Sequence, residues 1–227
     1  MGKTTNLGKS QQLVCDYIDR NAKAIATVCD SVFYFGELGM QEFETAKLLG
    51  DVLAEGGFRV ERGIAGFPTG FCATYGSGTP VIALHSEYDA NPDNSQAAGI
   101  TEMRAITEGA PGHCEGHNAN AAVLVAGALA AARAIDAFGL KGTLKVFGAP
   151  AEEQLVSRPY FVRDGLFDDV DLAFHGHLTD EFKAPYGVLQ SALISASFHF
   201  TGETAHAGVA PWLARDALDA VVLMDMG

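Results

Sequence analysis

Apolar residues recur at helical intervals over residues 11–30 (Leu13, Val14, Ile18, Ala22, Ile25, Val28) and again over 42–54 (Phe43, Ala46, Leu48, Leu49, Val52, Leu53). Each stretch predicts an amphipathic helix, the second ended by Gly56-Gly57. Short apolar runs bounded by Gly or Pro follow at 58–60, 70–75 and 81–84 and read as strands. Residues 118–135 are rich in alanine and apolar on nearly every side, which predicts a buried helix. Beyond it come a buried strand at 143–147, part of a helix at 160–163 and another strand at 172–174. Strands alternating with helices predict an α/β domain with a mostly parallel sheet flanked by helices.

The texture changes after Tyr186-Gly187. Residues 192–201 alternate as a strand does and 214–224 are helical, as in the opening of an α+β unit. The predicted organisation is therefore a catalytic domain over 1–187 and the beginning of a lid or dimerisation domain over 188–227, with the chain incomplete as it stands. Between the strand at 81–84 and the buried helix lies a long connection, 91–112, rich in Pro, Asn, Gly and Ala. Connections of that length inside a compact domain usually carry function.

Charge narrows the classes of partner. Acidic residues outnumber basic ones, 28 to 15, for a net charge of -13, and no Lys/Arg cluster offers a surface for tracking phosphates. Nucleic acid is excluded as an expected partner. The N-terminal residues lead into polar sequence without an apolar run, and no stretch reads as long enough to span a bilayer. The cysteines, Cys15, Cys29, Cys72 and Cys114, show no paired spacing. A cytoplasmic protein with reduced thiols and no membrane contact is expected.

Four places concentrate metal-type ligands: His85-Ser86-Glu87-Tyr88-Asp89, Gly112-His113-Cys114-Glu115-Gly116-His117-Asn118, Glu152-Glu153 and His175-Gly176-His177. Three of them directly follow a predicted strand, and in an open α/β sheet the carboxyl ends of the strands line the ligand crevice. A lone His or Glu after a strand is usually a surface or capping residue, and paired carboxylates are usually a solvated face. Four such clusters in one domain, with Glu152-Glu153 set in a nearly uncharged stretch, favour a shared cleft. Imidazole and carboxylate donors suit a borderline or hard divalent ion such as Zn(II) or Mn(II). Such an ion lowers the pKa of water towards neutrality, and a neighbouring carboxylate must then accept and return the proton.

At these residues the chain resembles the aminoacylase/carboxypeptidase family of metallohydrolases, in its aminobenzoyl-glutamate hydrolase-like branch. The resemblance is carried by Ser86-Glu87-Tyr88-Asp89-Ala90-Asn91-Pro92, by Gly112 to Asn118, by Gly148-Ala149-Pro150-Ala151-Glu152-Glu153, by the segment from Val162 to Asp171, and by Thr204-Ala205-His206-Ala207. It implies that His117, Glu153 and His177 are metal ligands, that Glu152 is the general base and that Asp89 orients a ligand. It implies also that His206 reaches the active site of a partner subunit in a homodimer. Two departures stand out: Glu115 occupies the position of the branch's ligand cysteine, and Asn91 replaces its usual leucine. The first adds Glu115 to the ligand set, makes Mn(II) as credible as Zn(II), and puts a two-metal site in doubt. Cys114, one position away, reads as a packed small residue.

The resemblance, taken with the altered metal motif, implies hydrolytic deamination of 5-nitroanthranilate, giving 5-nitrosalicylate and ammonia by nucleophilic aromatic substitution. The alternative is an amidohydrolase cleaving N-acyl or aminobenzoyl amino acids, and a second alternative is an inactive binding protein on the same fold. In either enzymatic reading the partner is a small aromatic or acylated amino-acid substrate.

Overall fold

Apolar alternation along three central strands allows both faces of one sheet to be covered, and the computed structural model uses both. It describes residues 7–181, 184, 186–187 and 191–227. The strands are β1 (Arg59–Arg62), β2 (Phe71–Ser77), β3 (Val81–Ser86), β4 (Gly142–Gly148) and β5 (Leu172–His175), in the order β1-β2-β4-β3-β5. The sheet is mixed and not mostly parallel: β1–β2 and β2–β4 are antiparallel, while β3 pairs with β4 and β5 in parallel. The parallel half follows from the helical crossovers; in the antiparallel half β1 and β2 are neighbours in sequence, whereas β2 pairs with β4 across the whole of β3 and α3.

Successive side chains of a strand point to opposite faces. Phe71, Ala73, Leu144 and Val146 therefore share one face, with Val32 of α1 (Lys9–Phe35), Leu49 and Leu53 of α2 (Phe43–Glu55), and Ala121, Leu124, Val125 and Ala128 of α3 (His117–Phe138). Ala83 and Phe147 face the other way, onto Ile64, Phe67 and Phe161, the last from α4 (Ser157–Arg163). Alanines let α3 lie close to α1 and the sheet. By length and composition α3 is long and apolar enough to cross a membrane, contrary to the sequence expectation that no stretch is. Its Ala121, Val125 and Ala128 are instead packed in the core of this domain.

The chain divides into two units, Met1–Glu181 and Phe182–Gly227. The second contains a short 3-10 turn at Pro211–Leu213, a bridge between Glu203 and Arg215, and α5 (Ala217–Met226) capped by the Asp216 carboxylate on the Leu218 N–H. The strand expected at 192–201 does not form among the described residues. Alternation alone cannot hold a strand that has no neighbour to share its hydrogen bonds. The start of that unit as read from the sequence, residues 188–190, lies outside the described residues.

Phe71 is 1% exposed at the centre of the larger core, whereas Val123 on α3 is 62% exposed. Phe71→Ala is expected to lower unfolding stability by about 3–5 kcal/mol, and Val123→Ser by no more than about 0.5 kcal/mol. Urea unfolding followed by circular dichroism measures both; equal effects would contradict the core assignment.

Candidate metal centre

Parallel pairing of β3, β4 and β5 brings their carboxyl ends side by side, next to the start of α3. Two glycines make the approach to α3 possible. A Cβ on Gly112 would meet the Asn94 carbonyl oxygen, and Gly116, the residue before α3, has φ 95°, a left-handed conformation that suits glycine.

His117, in the first turn of α3, is 1% exposed. Its Nδ1 lies 2.9 Å from the Asp89 carbonyl oxygen and 3.3 Å from Asp89 Oδ1. With Nδ1–H donating to Asp89, the Nε2 lone pair faces the cleft, the tautomer that a metal ligand needs. Burial alone would lower the His117 pKa, but the Asp89 carboxylate and carbonyl outweigh it and the pKa is raised. Nε2 is buried and has no hydrogen-bond partner among the described residues. Asp89 Oδ2 also accepts the Glu153 N–H at 3.0 Å, so one buried residue holds the histidine through its carbonyl and the neighbouring acidic turn through its carboxylate.

Glu152 and Glu153 lie on a 3-10 turn that starts after Ala151. Ala151 has φ 54°, a left-handed conformation costing on the order of 1 kcal/mol for a residue with a Cβ. Its N–H donates at 2.8 Å to Glu42, a fully buried carboxylate that also accepts from Thr69 Oγ1 at 2.8 Å. From this turn the two glutamates diverge. Glu153 comes together with Glu115 and His117, their ligand atoms all within 4.8 Å of one another. Glu152 Oε2 is 4.0 Å from His117 Nε2, and its Oε1 is 3.6 Å from Arg158 Nη1. Partial desolvation and then the Glu115 carboxylate push the Glu153 pKa up to about 7, while the hydrogen bond with Glu153 lowers that of Glu115. The hydrogen bond with Glu115 and the like charge beside it both favour the protonated form of Glu153.

His177 belongs to a second cluster with Glu87 and His117, again within 4.8 Å, so His117 is common to both. His177 Nδ1 contacts the Leu178 carbonyl oxygen at 2.8 Å. An orphaned buried imidazole nitrogen beside two carboxylates fits a divalent ion of the Zn(II) or Mn(II) class. His206 lies in the second unit, exposed, its Nδ1 accepting the Gly208 N–H at 3.1 Å. Cys114 is not the packed residue expected; it is exposed, with Sγ 3.1 Å from Asn91 Nδ2.

A buried polar group behind the cluster was not anticipated from the sequence. Glu87, fully buried, accepts from Asn120 Nδ2 at 2.9 Å and from the Arg158 guanidinium, and lies 2.9 Å from His175 Nε2. Asn120 Oδ1 in turn accepts the Leu178 N–H at 3.1 Å, next to His177. The one available signal was Glu87 inside a strand-end cluster; Arg158 gave none. His85 stacks on His175 with ring centroids 4.8 Å apart, its pKa pushed down to about 3 by burial. His113 contacts the Val32 carbonyl oxygen of α1 at 3.1 Å and is pushed down to about 4 by burial, which suits a neutral structural contact.

No protein-family model matches the chain. Among curated proteins it is 37% identical over 216 residues to one of the subunits of the p-aminobenzoyl-glutamate hydrolase of Escherichia coli (strain K12), covering 95% of this chain and 45% of that protein. It is 31% identical over 160 residues to Xaa-Arg dipeptidase of Mus musculus, covering 70% of this chain and 34% of that protein. The chain thus spans less than half the length of either relative. Among solved structures, the Bacillus subtilis YXEP protein, a dinuclear metal binding peptidase, matches with TM-score 0.57 and 22% identity over 67% of this chain and 42% of that one. The aminobenzoyl-glutamate utilization protein from Klebsiella pneumoniae matches with TM-score 0.54 and 19% identity over 71% and 45%. These two likenesses concern the fold. With the homology that runs along nearly all of its sequence and the strand-end cluster just described, the chain belongs to the aminobenzoyl-glutamate hydrolase-like family.

Proposed function

We propose that the chain is the metal-binding part of a hydrolase that cleaves the amide bond of an N-acyl or aminobenzoyl amino acid. The observation that carries this reading is the orphaned, buried His117 Nε2, which faces Glu115 and Glu153 while Glu152 stands beside it. Glu115, His117, Glu153 and His177 are the proposed ligands, His177 joining through the cluster that it shares with His117. A bound divalent ion would polarise the scissile carbonyl and acidify water. Glu152 takes the proton of the attacking water and returns it to the departing amine. Arg158, anchored on Glu87, presents a cation to Glu152 and orients its carboxylate. Asp89 holds His117 in the tautomer that exposes Nε2.

Deamination of 5-nitroanthranilate, expected from the altered metal motif, rests on Glu115 in place of a cysteine. The p-aminobenzoyl-glutamate hydrolase and dipeptidase relatives favour amide cleavage instead. Residues 1–187 are proposed as the catalytic part and 188–227 as the start of a lid that carries His206 to the site of a homodimer partner.

Glu152→Gln keeps size and hydrogen bonding but removes the basic oxygen. Turnover is expected to fall roughly 10²–10⁴-fold with metal content unchanged by elemental analysis; Glu153→Gln is expected to lower metal content, with partial rescue by added metal. The reverse pattern would exchange the two roles, and unchanged turnover in both would remove the site. Incubation with p-aminobenzoyl-glutamate should release free glutamate, whereas ammonia release from 5-nitroanthranilate without amide cleavage would restore the deaminase reading. Because the Glu153 pKa is pushed up to about 7 and that of His117 is also raised, an incoming ion must displace protons as the pH falls through neutrality. Metal affinity is expected to weaken by about tenfold or more per pH unit below 7, as read by chelator competition at pH 6, 7 and 8; a flat profile would contradict the raised pKa values.

A further inference from the structure

Residue 91 is where the chain departs from the leucine usual in the motif that it resembles, and the geometry gives the asparagine a use. Its backbone is pinned by a bridge to Gly112, with N–H to carbonyl distances of 3.0 Å in both directions. The side chain is thereby aimed into the acidic cluster. Asn91 Nδ2 lies 2.8 Å from Glu153 Oε1 and 3.0 Å from Glu115 Oε1, with Cys114 Sγ at 3.1 Å. A primary amide carries two N–H bonds. One for each carboxylate uses both, and a leucine would supply neither.

Two carboxylates at this separation repel one another unless a positive partner lies between them. In two-metal sites that partner is a second cation, about 3.5–4 Å from the first, which draws on carboxylate oxygens of its own. Here the amide already engages one oxygen of each glutamate. The two carboxylates and the unpartnered His117 form one donor set.

We propose that Asn91 stands where a second cation would otherwise bridge Glu115 and Glu153, so that this cluster holds one divalent ion per chain. The proposal rests on the metal-binding reading of the same residues. It makes Asn91 a positioning residue, acting through the two carboxylates and not on the substrate.

The test is metal stoichiometry. Protein is loaded with excess Mn(II), freed of unbound metal by gel filtration, and its metal-to-chain ratio is read by plasma mass spectrometry. The expected ratio is one for the unaltered protein, rising towards two in Asn91→Leu. Asn91→Asp, which keeps the shape while replacing the donor by a carboxylate, should likewise exceed one, and serves if Asn91→Leu does not fold by circular dichroism. Electron paramagnetic resonance adds a second readout, because two adjacent Mn(II) ions couple and a single ion does not. Two ions on the unaltered protein, or one ion on it and on each folded variant, would overturn the proposal and leave the metal centre standing. No bound ion on the unaltered protein would remove the metal reading itself, and this proposal with it.

Discussion

Asp89 is the junction on which the site depends. It follows β3, is 1% exposed, and binds in three ways: its carbonyl and Oδ1 meet His117 Nδ1, and its Oδ2 accepts the Glu153 N–H. The start of α3 and the turn after β4, far apart in sequence, are thereby referred to one buried carboxylate. An anion costs several kcal/mol to bury unless it is hydrogen-bonded and offset by positive charge. That requirement couples the order of the cluster to the packing of the sheet. Loss of the Asp89 carboxylate would release the acidic turn and leave His117 Nδ1 held by the Asp89 carbonyl alone.

Glu42 plays the matching part on the other side of the acidic turn. Its carboxylate is fully buried, and burial raises its pKa against the hydrogen bonds that it accepts from Ala151 and Thr69. The Ala151 backbone takes a left-handed conformation immediately before the glutamate pair, and Gly39 packs against it. Strained backbone persists where its surroundings over-determine it, and such places gather at functional sites. The strain here lies one residue from the proposed base.

The helices were legible because their apolar residues recur at 3–4 positions, a period that no strand reproduces. Their ends were less so: α1 continues to Phe35, where Gly36 turns left-handed, five residues past the end of its clear apolar pattern. Strand direction was not legible. β2 and β4 run antiparallel although their paired residues are some seventy positions apart, and nothing in either sequence records the sense of pairing. The ligand-rich segments could be read because His and Glu at strand ends are conspicuous as residue types. Arg158 and Asn120 could not, because each acts through Glu87, distant in the chain, and Asn91 stood out only as a departure from the motif, without its partners Glu115 and Glu153. Residues 192–201 show the opposite error, a local pattern without the neighbour that would turn it into a strand.

Two adjacent glutamates with the same chemistry are given different surroundings by the backbone between them. On the 3-10 turn the Glu153 N–H is tied to Asp89, and its side chain goes to Glu115, Asn91 and the neighbourhood of His117 Nε2. The Glu152 side chain leaves in another direction, towards Arg158. A carboxylate kept protonated beside another carboxylate is a poor acceptor of a further proton near neutral pH, but becomes a good ligand once a cation displaces the proton it holds. A carboxylate that faces a guanidinium and not a second acid stays outside that pair. The division of labour proposed for the pair therefore follows from what each faces: Glu153 another acid, Glu152 a base.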